Sequence, residues 1–221
     1  MSIHKMSNAK LAEPGVSEPN AIGLFLAGGR GTRMGGVDKA SLRLGNQTLI
    51  ERGIARARPQ VSELLINANG DVARFADFGL EIISDSIGGF LGPLAGILSG
   101  LEWMRTNRPK FSWLATFACD TPFFPRDMVE KLVQRAESER ALVAIAASGD
   151  RHHPVFAVWS AALSVSPQEL SDAQASRKMD DFVARFPNTR VMFSTDPIDP
   201  FFNINTPADL VRAETLSHLV R

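Results

Sequence analysis

A glycine-rich segment that carries three cations, LAGGRGTRMGGVDK, runs from Leu26 to Lys39. Glycine combined with positive charge is typical of a backbone loop that approaches phosphate groups. A valine stands where a Walker A loop has its lysine, and a methionine where a Rossmann loop has its third glycine, so both motifs are excluded. The segment is long enough to wrap a triphosphate, which Arg33 and Lys39 could neutralise from two sides. A surface loop with incidental charges is the alternative, but the position directly after an apolar run favours phosphate binding.

Polar side chains that directly follow apolar runs form a second group of candidates, namely Asn67, Asn69, Asp85 and Asp120. Asp120 follows WLATFAC, a run typical of a buried central strand. Mg²⁺ prefers oxygen ligands, keeps several waters and bridges substrate phosphates through one or two carboxylates. Asp120 is therefore predicted to bind Mg²⁺ as the cofactor. The neighbouring Cys119 is interpreted as a small buried hydrophobic residue, because no basic residue beside it favours a thiolate.

Zinc chemistry and covalent catalysis are not indicated. His152 and His153 are adjacent, but no cysteine or further histidine lies at a ligand spacing from them. The sequence also offers no Ser–His or Cys–His arrangement for an activated nucleophile.

The apolar pattern predicts a scaffold that brings strand ends together. Short β-branched runs alternate with helical patterns, which indicates a mostly parallel sheet covered on both faces. The predicted strands are AIGLFLAGG, ELLINAN, LEIISD, SWLATFACD, ALVAIAAS, HHPVFAVWS and RVMFST. Helices are predicted in TLIERGIARAR, from Pro93, from Pro125, and after a cap at Thr206 or Asn205. Ligands of such sheets bind beyond the carboxyl ends of the strands, where the candidate residues should meet.

The predicted fold class is α/β, a single-domain, three-layer, Rossmann-like fold over residues 21–221 behind a flexible, polar tail at 1–20. The 24 basic and 24 acidic side chains cancel, which argues against a nucleic-acid-binding surface. No apolar run approaches the roughly 20 residues that span a bilayer. One cysteine excludes an internal disulfide and fits a reducing compartment. The chain is expected to be cytoplasmic, with neither nucleic acid nor membrane as a partner.

The glycine-rich segment resembles the signature of nucleotidyltransferases with a MobA-like fold, which move a nucleoside monophosphate from a triphosphate onto a phosphorylated acceptor. Further segments match this family in order: INAN, SDS, GPLAG, CDTP, HHPV and NINTPADL. The set covers nearly all of the chain from residue 21 onward and is most similar to the molybdenum cofactor guanylyltransferases. The glycines of LAGG favour guanine, because the cytidine-using relatives usually carry alanine there.

The resemblance implies transfer of GMP from GTP to molybdopterin, with release of pyrophosphate and formation of molybdopterin guanine dinucleotide. It also implies transient contacts with cofactor-synthesis proteins and molybdoenzymes. An acceptor phosphate is already ionised at neutral pH, so in-line attack on the α-phosphorus needs no protein nucleophile. The alternatives are an enzyme of the same fold that uses CTP or a sugar-phosphate acceptor, and a non-catalytic molybdenum cofactor carrier.

The resemblance further assigns roles to individual residues. The implied nucleotide-binding residues are Leu26, Ala27, Gly28, Gly29, Lys39, Asn67, Asp85 and Asp120. The implied catalytic residues are Lys39, Arg33 and Asp120, with Asp120 as the metal ligand. The implied acceptor-binding residues are His153, Asn203 and Arg177. Simpler interpretations are a turn former for Asn69 and a cap for Asp85.

Overall fold

The structure is a computed structural model that describes residues 20–27, 41–86, 92–176 and 178–219. Its strands are β1 (Ala21–Leu26), β2 (Arg43–Leu44), β3 (Gln47–Thr48), β4 (Glu63–Asn67), β5 (Glu81–Ile83), β6 (Trp113–Ala118), β7 (Val143–Ser148), β8 (Arg151–Ser160) and β9 (Asn188–Phe193). Its α-helices are α1 (Leu49–Ala57), α2 (Pro93–Asn107), α3 (Met128–Glu139), α4 (Pro167–Ser176), α5 (Met179–Val183) and α6 (Pro207–Leu216). Short 3-10 helices cover Arg58–Gln60 and Ala73–Phe78.

Seven strands form one sheet in the order β5-β4-β1-β6-β8-β7-β9. The pairs β5–β4, β4–β1, β1–β6 and β7–β9 are parallel, and β8 is antiparallel to both of its neighbours. The predicted mostly parallel sheet is confirmed, and β6 lies at its centre as predicted. The reversal of β8 follows from a tight hairpin, because Arg151 pairs with Ser148 across two residues. Gly149 adopts the positive φ of 52° that such turns favour.

Two apolar clusters cover the two faces of the sheet and account for its three layers. In β1, Phe25 packs on the face covered by α1 and α3, whereas Ile22 and Leu24 pack on the face covered by α2. This alternation is the period of a strand with both faces buried. A third, smaller cluster joins the β2–β3 hairpin and α1 to the C-terminal helix through Leu44, Leu49, Phe123, Ile204 and Ala213.

Helix α3 corrects one sequence prediction, because it begins at Met128 and not at Pro125. In a helix that began at Pro125, the N–H group of Val129 would donate to the Pro125 carbonyl. The Gln60 side chain occupies both of these groups instead. Its Nε2 donates to the Pro125 carbonyl at 3.0 Å, and its Oε1 accepts from the Val129 N–H at 3.0 Å.

The other predicted helix starts are confirmed. Helix α2 begins at Pro93, and Thr206 caps α6 through a reciprocal hydrogen-bonded pair with Asp209. The β2–β3 hairpin and helices α4 and α5 were not predicted from the sequence. The predicted tail at 1–20 falls outside the described residues except for Asn20. In the part of the chain that the structure describes, no helix is both long and apolar enough to cross a membrane.

Candidate functional site

The carboxyl ends of four parallel strands lie in register and form one edge of the sheet. Leu26 pairs with Asn67 on one side and with Ala118 on the other, and Asn67 pairs in turn with Ile83. The residues that follow these strands, including the predicted site residues Ala27, Asp85 and Asp120, therefore share this edge. Ala27 is buried and donates its N–H to the Asn67 carbonyl at 2.9 Å.

Asp85 is bound by both candidate asparagines. Asn67 Nδ2 donates to Asp85 Oδ1 at 2.9 Å, and Asn69 Nδ2 donates to Asp85 Oδ2 at 2.7 Å. The Asp85 N–H returns a hydrogen bond to Asn69 Oδ1 at 3.0 Å. Asn67 is only 4% exposed, whereas Asn69 is exposed and contacts Asp85 through both its Nδ2 and its Oδ1. The carboxylate orders two amides at the end of β4 and keeps further acceptor lone pairs of its own.

Helix α2 passes directly over this network at Gly96. A Cβ atom at Gly96 would lie 2.3 Å from Asn67 Oδ1 and 2.7 Å from Leu26 Cδ2. Only glycine allows this close approach, and the helix enters it through Gly92, whose φ is 57°. The first turn of α2 is therefore at the same edge as Asn67 and Leu26. The unpaired N–H groups of a helix start favour negatively charged ligands.

A cation that the sequence analysis missed lies at the exit of β1. Arg74 Nη2 donates to the Ala27 carbonyl at 3.4 Å, and its guanidinium lies 4.6 Å from the centre of the Phe75 ring. Arg74 lies in the 3-10 helix Ala73–Phe78, which no sequence pattern indicated. Its position adds positive charge beside the start of the glycine-rich segment.

Asp120 lies two residues beyond β6 and is half-buried. Its Oδ1 accepts from the Thr121 hydroxyl at 3.4 Å, and its backbone carbonyl accepts from the Ile204 N–H at 2.9 Å. The connection between β9 and α6, residues 194–206, is thereby attached to the end of β6. Asn203 belongs to this connection, and its Oδ1 is buried with no hydrogen-bond partner among the described residues. Buried polar atoms are nearly always paired, so Asn203 Oδ1 is a candidate acceptor for a group that the described residues do not supply.

Arg56 of α1 holds the backbone that follows Asp120. Its Nε donates to the Phe124 carbonyl at 2.8 Å, and Nη2 donates to the Phe123 carbonyl at 3.3 Å. Burial, helped by the nearby charge of Arg126, lowers the pKa of Arg56 to about 10, so the group stays charged at neutral pH. An arginine in a helical pattern gives no sign of this role in the sequence.

His153 reaches the same edge from the opposite direction, because β8 runs antiparallel and starts where β7 ends. Its Nε2 lies 2.8 Å from Ser148 Oγ, and the Ser148 hydroxyl donates to Asp199 Oδ1 at 2.8 Å. The His153 ring stacks on Phe201 with 4.4 Å between ring centres. Burial lowers the pKa of His153 to about 4, although the Asp199 charge opposes this shift.

The model of the MobA-like NTP transferase domain matches residues 23–189. The chain belongs to this family. A relative from Nitrobacter hamburgensis named molybdenum cofactor guanylyltransferase is 44% identical over 201 residues, covering 91% of this chain and 96% of the relative. A relative of the same name from Rhodopseudomonas palustris is 43% identical over 204 residues, which cover 92% of this chain and 97% of the relative.

A solved structure supports the same assignment. The crystal structure of molybdopterin-guanine dinucleotide biosynthesis protein A from Archaeoglobus fulgidus is similar with a TM-score of 0.65 at 25% identity. The match covers 90% of this chain and 100% of that one. The family resemblance and the Rossmann-like α/β fold expected from the sequence are thus confirmed for this MobA-like protein.

The structure describes only part of the predicted site of this MobA-like protein. Gly28, Gly29, Arg33, Lys39 and Arg177 lie outside the described residues. Their predicted roles in phosphate, nucleotide and acceptor binding stay predictions.

The structure divides the described candidates into two groups. Leu26, Asn67 and Asp85 form one group at β1, β4 and β5. Asp120 and Asn203 are joined through Ile204 at β6, and the same connection reaches His153 through Phe201.

Ser148 and Asp199 of this MobA-like protein were not predicted as site residues from the sequence. Ser148 could have been predicted as a candidate, because it is a polar residue at the end of the buried strand β7. Asp199 could not, because its contact with Ser148 depends on where the 194–206 connection passes in three dimensions.

The buried His153 predicts an acid-sensitive fold. Its pKa is about 4 in the folded protein and near the usual value of about 6.5 when unfolded. Between these values the unfolded chain binds the extra proton, so stability should fall as the pH drops through this window. Urea unfolding measures the free energy of unfolding at about pH 7.5 and about pH 4.5. Between these two pH values, the wild type should lose more of this free energy than His153→Gln. An equal loss in both proteins would contradict this prediction.

Proposed function

We propose that this chain transfers GMP from GTP to molybdopterin, which forms molybdopterin guanine dinucleotide and releases pyrophosphate. The observation that carries the proposal is the 44% identity to a relative named molybdenum cofactor guanylyltransferase across 91% of this chain. The family match over 23–189 includes Leu26, Asn67, Asp85, Asp120 and His153. These five candidate residues therefore lie in the part of the chain that carries the family match, whereas Asn203 lies beyond it.

The chemistry requires positioning and charge neutralisation more than a protein nucleophile. The ionised phosphate of the acceptor attacks the α-phosphorus of GTP in line. The bond from this phosphorus to the bridging oxygen breaks, and pyrophosphate leaves with the bonding electrons. The amides and carboxylate of Asn67, Asn69 and Asp85 would bind the nucleoside. The start of α2, together with Arg33 and Lys39, would hold the phosphates.

Mg²⁺ is the proposed cofactor, and the oxygen donors near Asp120 fit it. These donors are the half-buried Asp120 carboxylate and the buried Oδ1 of Asn203, which has no partner among the described residues. The hydrogen bond from the Ile204 N–H to the Asp120 carbonyl joins the two chain segments. Among the described residues, no group of three or more His, Cys, Asp or Glu side chains could hold a metal. This donor set suits a metal bound together with water and substrate phosphates. Bound there, Mg²⁺ would neutralise the triphosphate and orient the leaving pyrophosphate.

The proposed activity places the protein in the cytoplasm, where its substrates GTP and molybdopterin would meet. Delivery of the product would involve transient contacts with cofactor-synthesis proteins and molybdoenzymes. These contacts are part of the proposal.

A nucleotide and acceptor panel tests the proposal directly. Pyrophosphate release is measured with each of the four nucleoside triphosphates, with and without molybdopterin, in the presence of Mg²⁺. Release should require GTP and molybdopterin together and stay at background in the other mixtures. Pyrophosphate release that prefers CTP, or that requires a sugar phosphate, would contradict guanylyl transfer and indicate another nucleotidyltransferase reaction of the same fold. Tight binding of the molybdenum cofactor without any pyrophosphate release would contradict catalysis and indicate a non-catalytic carrier.

A further inference from the structure

Three side chains from three elements form a buried polar chain beside the site. Nε2 of His153 lies 2.8 Å from Ser148 Oγ, which lies 2.8 Å from Asp199 Oδ1. Ser148 is 2% exposed and His153 is 9% exposed, so both residues are buried. A carboxylate can only accept, so the single hydroxyl hydrogen of Ser148 goes to Asp199. Ser148 must then accept the hydrogen carried by His153 Nε2.

This order of donors fixes the chemical form of the His153 ring. With the hydrogen on Nε2, the neutral imidazole carries its lone pair on Nδ1. Nδ1 has no hydrogen-bond partner among the described residues, and it is not among their fully buried, unpaired atoms. The charged or titratable groups that act on the ring are Asp199, Arg151 and His152, and burial outweighs the opposing charge of Asp199. In this form, Nδ1 of His153 is an acceptor nitrogen that the described residues leave without a donor.

The same network is attached to the centre of the site through the 194–206 connection. Asp199 Oδ1 also accepts from the Phe201 N–H at 3.0 Å, and the Phe201 ring stacks on His153. Three residues later, the Ile204 N–H donates to the Asp120 carbonyl. Asp199 therefore orders both the imidazole ring and the chain segment that leads to Asp120.

The strand order separates this network from the nucleoside side. Asn67 and Asp85 follow β4 and β5, Asp120 follows the central β6, and His153 and Ser148 lie on β8 and β7. A nucleoside bound at β4 and β5 leaves the β8 side of Asp120 for the second substrate. In-line attack places the acceptor oxygen opposite the leaving pyrophosphate, so the acceptor needs space of its own apart from the groups that hold the leaving phosphates.

We propose that Ser148 and Asp199 are positioning residues that hold the Nδ1 lone pair of His153 toward the acceptor substrate, where it accepts a hydrogen bond from an N–H group of the pterin. This inference rests on the proposed function, because the pterin belongs to molybdopterin. What it adds is the role of Ser148 and Asp199, which place the hydrogen of the His153 ring without touching the substrate themselves.

Kinetics of Ser148→Ala and Ser148→Thr test the positioning role. Loss of the hydroxyl should raise the KM for molybdopterin about tenfold, the effect of one lost hydrogen bond. The KM for GTP and kcat should change less than about twofold, and Ser148→Thr should restore the wild-type values. Ser160→Ala is the matched control, because Ser160 lies at the opposite end of β8, where its hydroxyl accepts from the Ala162 N–H outside this network. An unchanged KM for molybdopterin in Ser148→Ala, or an equal rise in both KM values, overturns the proposal.

Nitrogen NMR of ¹⁵N-histidine-labelled protein keeps the test independent of turnover and of how well the variants fold. His153 in the wild-type chain should be neutral at pH about 6, with its hydrogen on Nε2. A hydrogen on Nδ1, or a protonated ring at that pH, overturns the inference even if GMP transfer is efficient. If the wild type shows the expected tautomer but transfers no GMP, the network stands and the proposed function fails, and with it the pterin assignment.

Discussion

Replacement of Asp120 by alanine is expected to reduce Mg²⁺-dependent pyrophosphate release from GTP and molybdopterin by about a thousandfold. Metal-ion catalysis contributes several kcal/mol of charge stabilisation, and about 1.4 kcal/mol corresponds to a factor of ten in rate. The substitution removes the carboxylate but keeps the backbone carbonyl that accepts from the Ile204 N–H. The 194–206 connection should therefore stay attached, and the loss should report on metal binding. Steady-state rates over a range of Mg²⁺ concentrations measure it.

Two further variants show whether the charge of Asp120 is responsible. Asp120→Asn keeps the size of the side chain and should also lose most of the activity, with a higher requirement for Mg²⁺. Asp127→Ala is the matched control, because Asp127 is an exposed carboxylate whose ion pair with Lys131 contributes little. It makes no capping hydrogen bond at the start of α3, so its loss should leave activity unchanged. Near-normal Mg²⁺-dependent turnover in Asp120→Ala would refute the proposed metal role.

Local patterns were sufficient to predict the elements that bring Leu26, Asn67 and Asp85 together. A fully apolar run with no polar face, such as β1, is stable only when helices cover both faces of the sheet. The apolar pattern of the strands therefore indicated a three-layer arrangement. Parallel strands with helical crossovers end at one edge, which is why Asn67, Asp85 and Asp120 could be grouped from the sequence. Pro93 and Thr206 predicted helix starts because both act within a single turn of the chain.

Long-range placement was beyond such reasoning. A strand pattern does not tell which neighbours the strand will have, so β8 could not be placed between β6 and β7. The chain from Ser148 to His153 and Asp199 depends on that placement. The predicted start of α3 at Pro125 was wrong for a similar reason. Gln60 lies far away in sequence, and its side chain occupies the backbone groups that an earlier helical turn would need. The close contact between Gly96 and Asn67 likewise exists only in the folded chain.

Replacement of Gly96 by alanine is expected to raise the KM for GTP at least tenfold while it destabilises the fold by about 1–3 kcal/mol, the usual cost of overpacking a core. The new Cβ would lie 2.3 Å from Asn67 Oδ1, a distance that no side chain tolerates. Asn67 must then move, and with it the hydrogen bond to Asp85 that orders this end of the site. GTP kinetics and urea unfolding of the same preparation measure both effects.

Gly100→Ala separates the effect on the site from the effect on packing. Gly100 lies one turn further along α2, and a Cβ there would lie 2.6 Å from Leu24 Cδ2 and 3.0 Å from Leu114 Cδ2. These contacts belong to the core and not to the polar edge, so Gly100→Ala should lose comparable stability but keep the wild-type KM for GTP. Equal KM values in the two variants would mean that Asn67 and Asp85 do not position the nucleotide. A KM that rises only in Gly96→Ala would tie nucleotide binding to the asparagine that α2 holds in place.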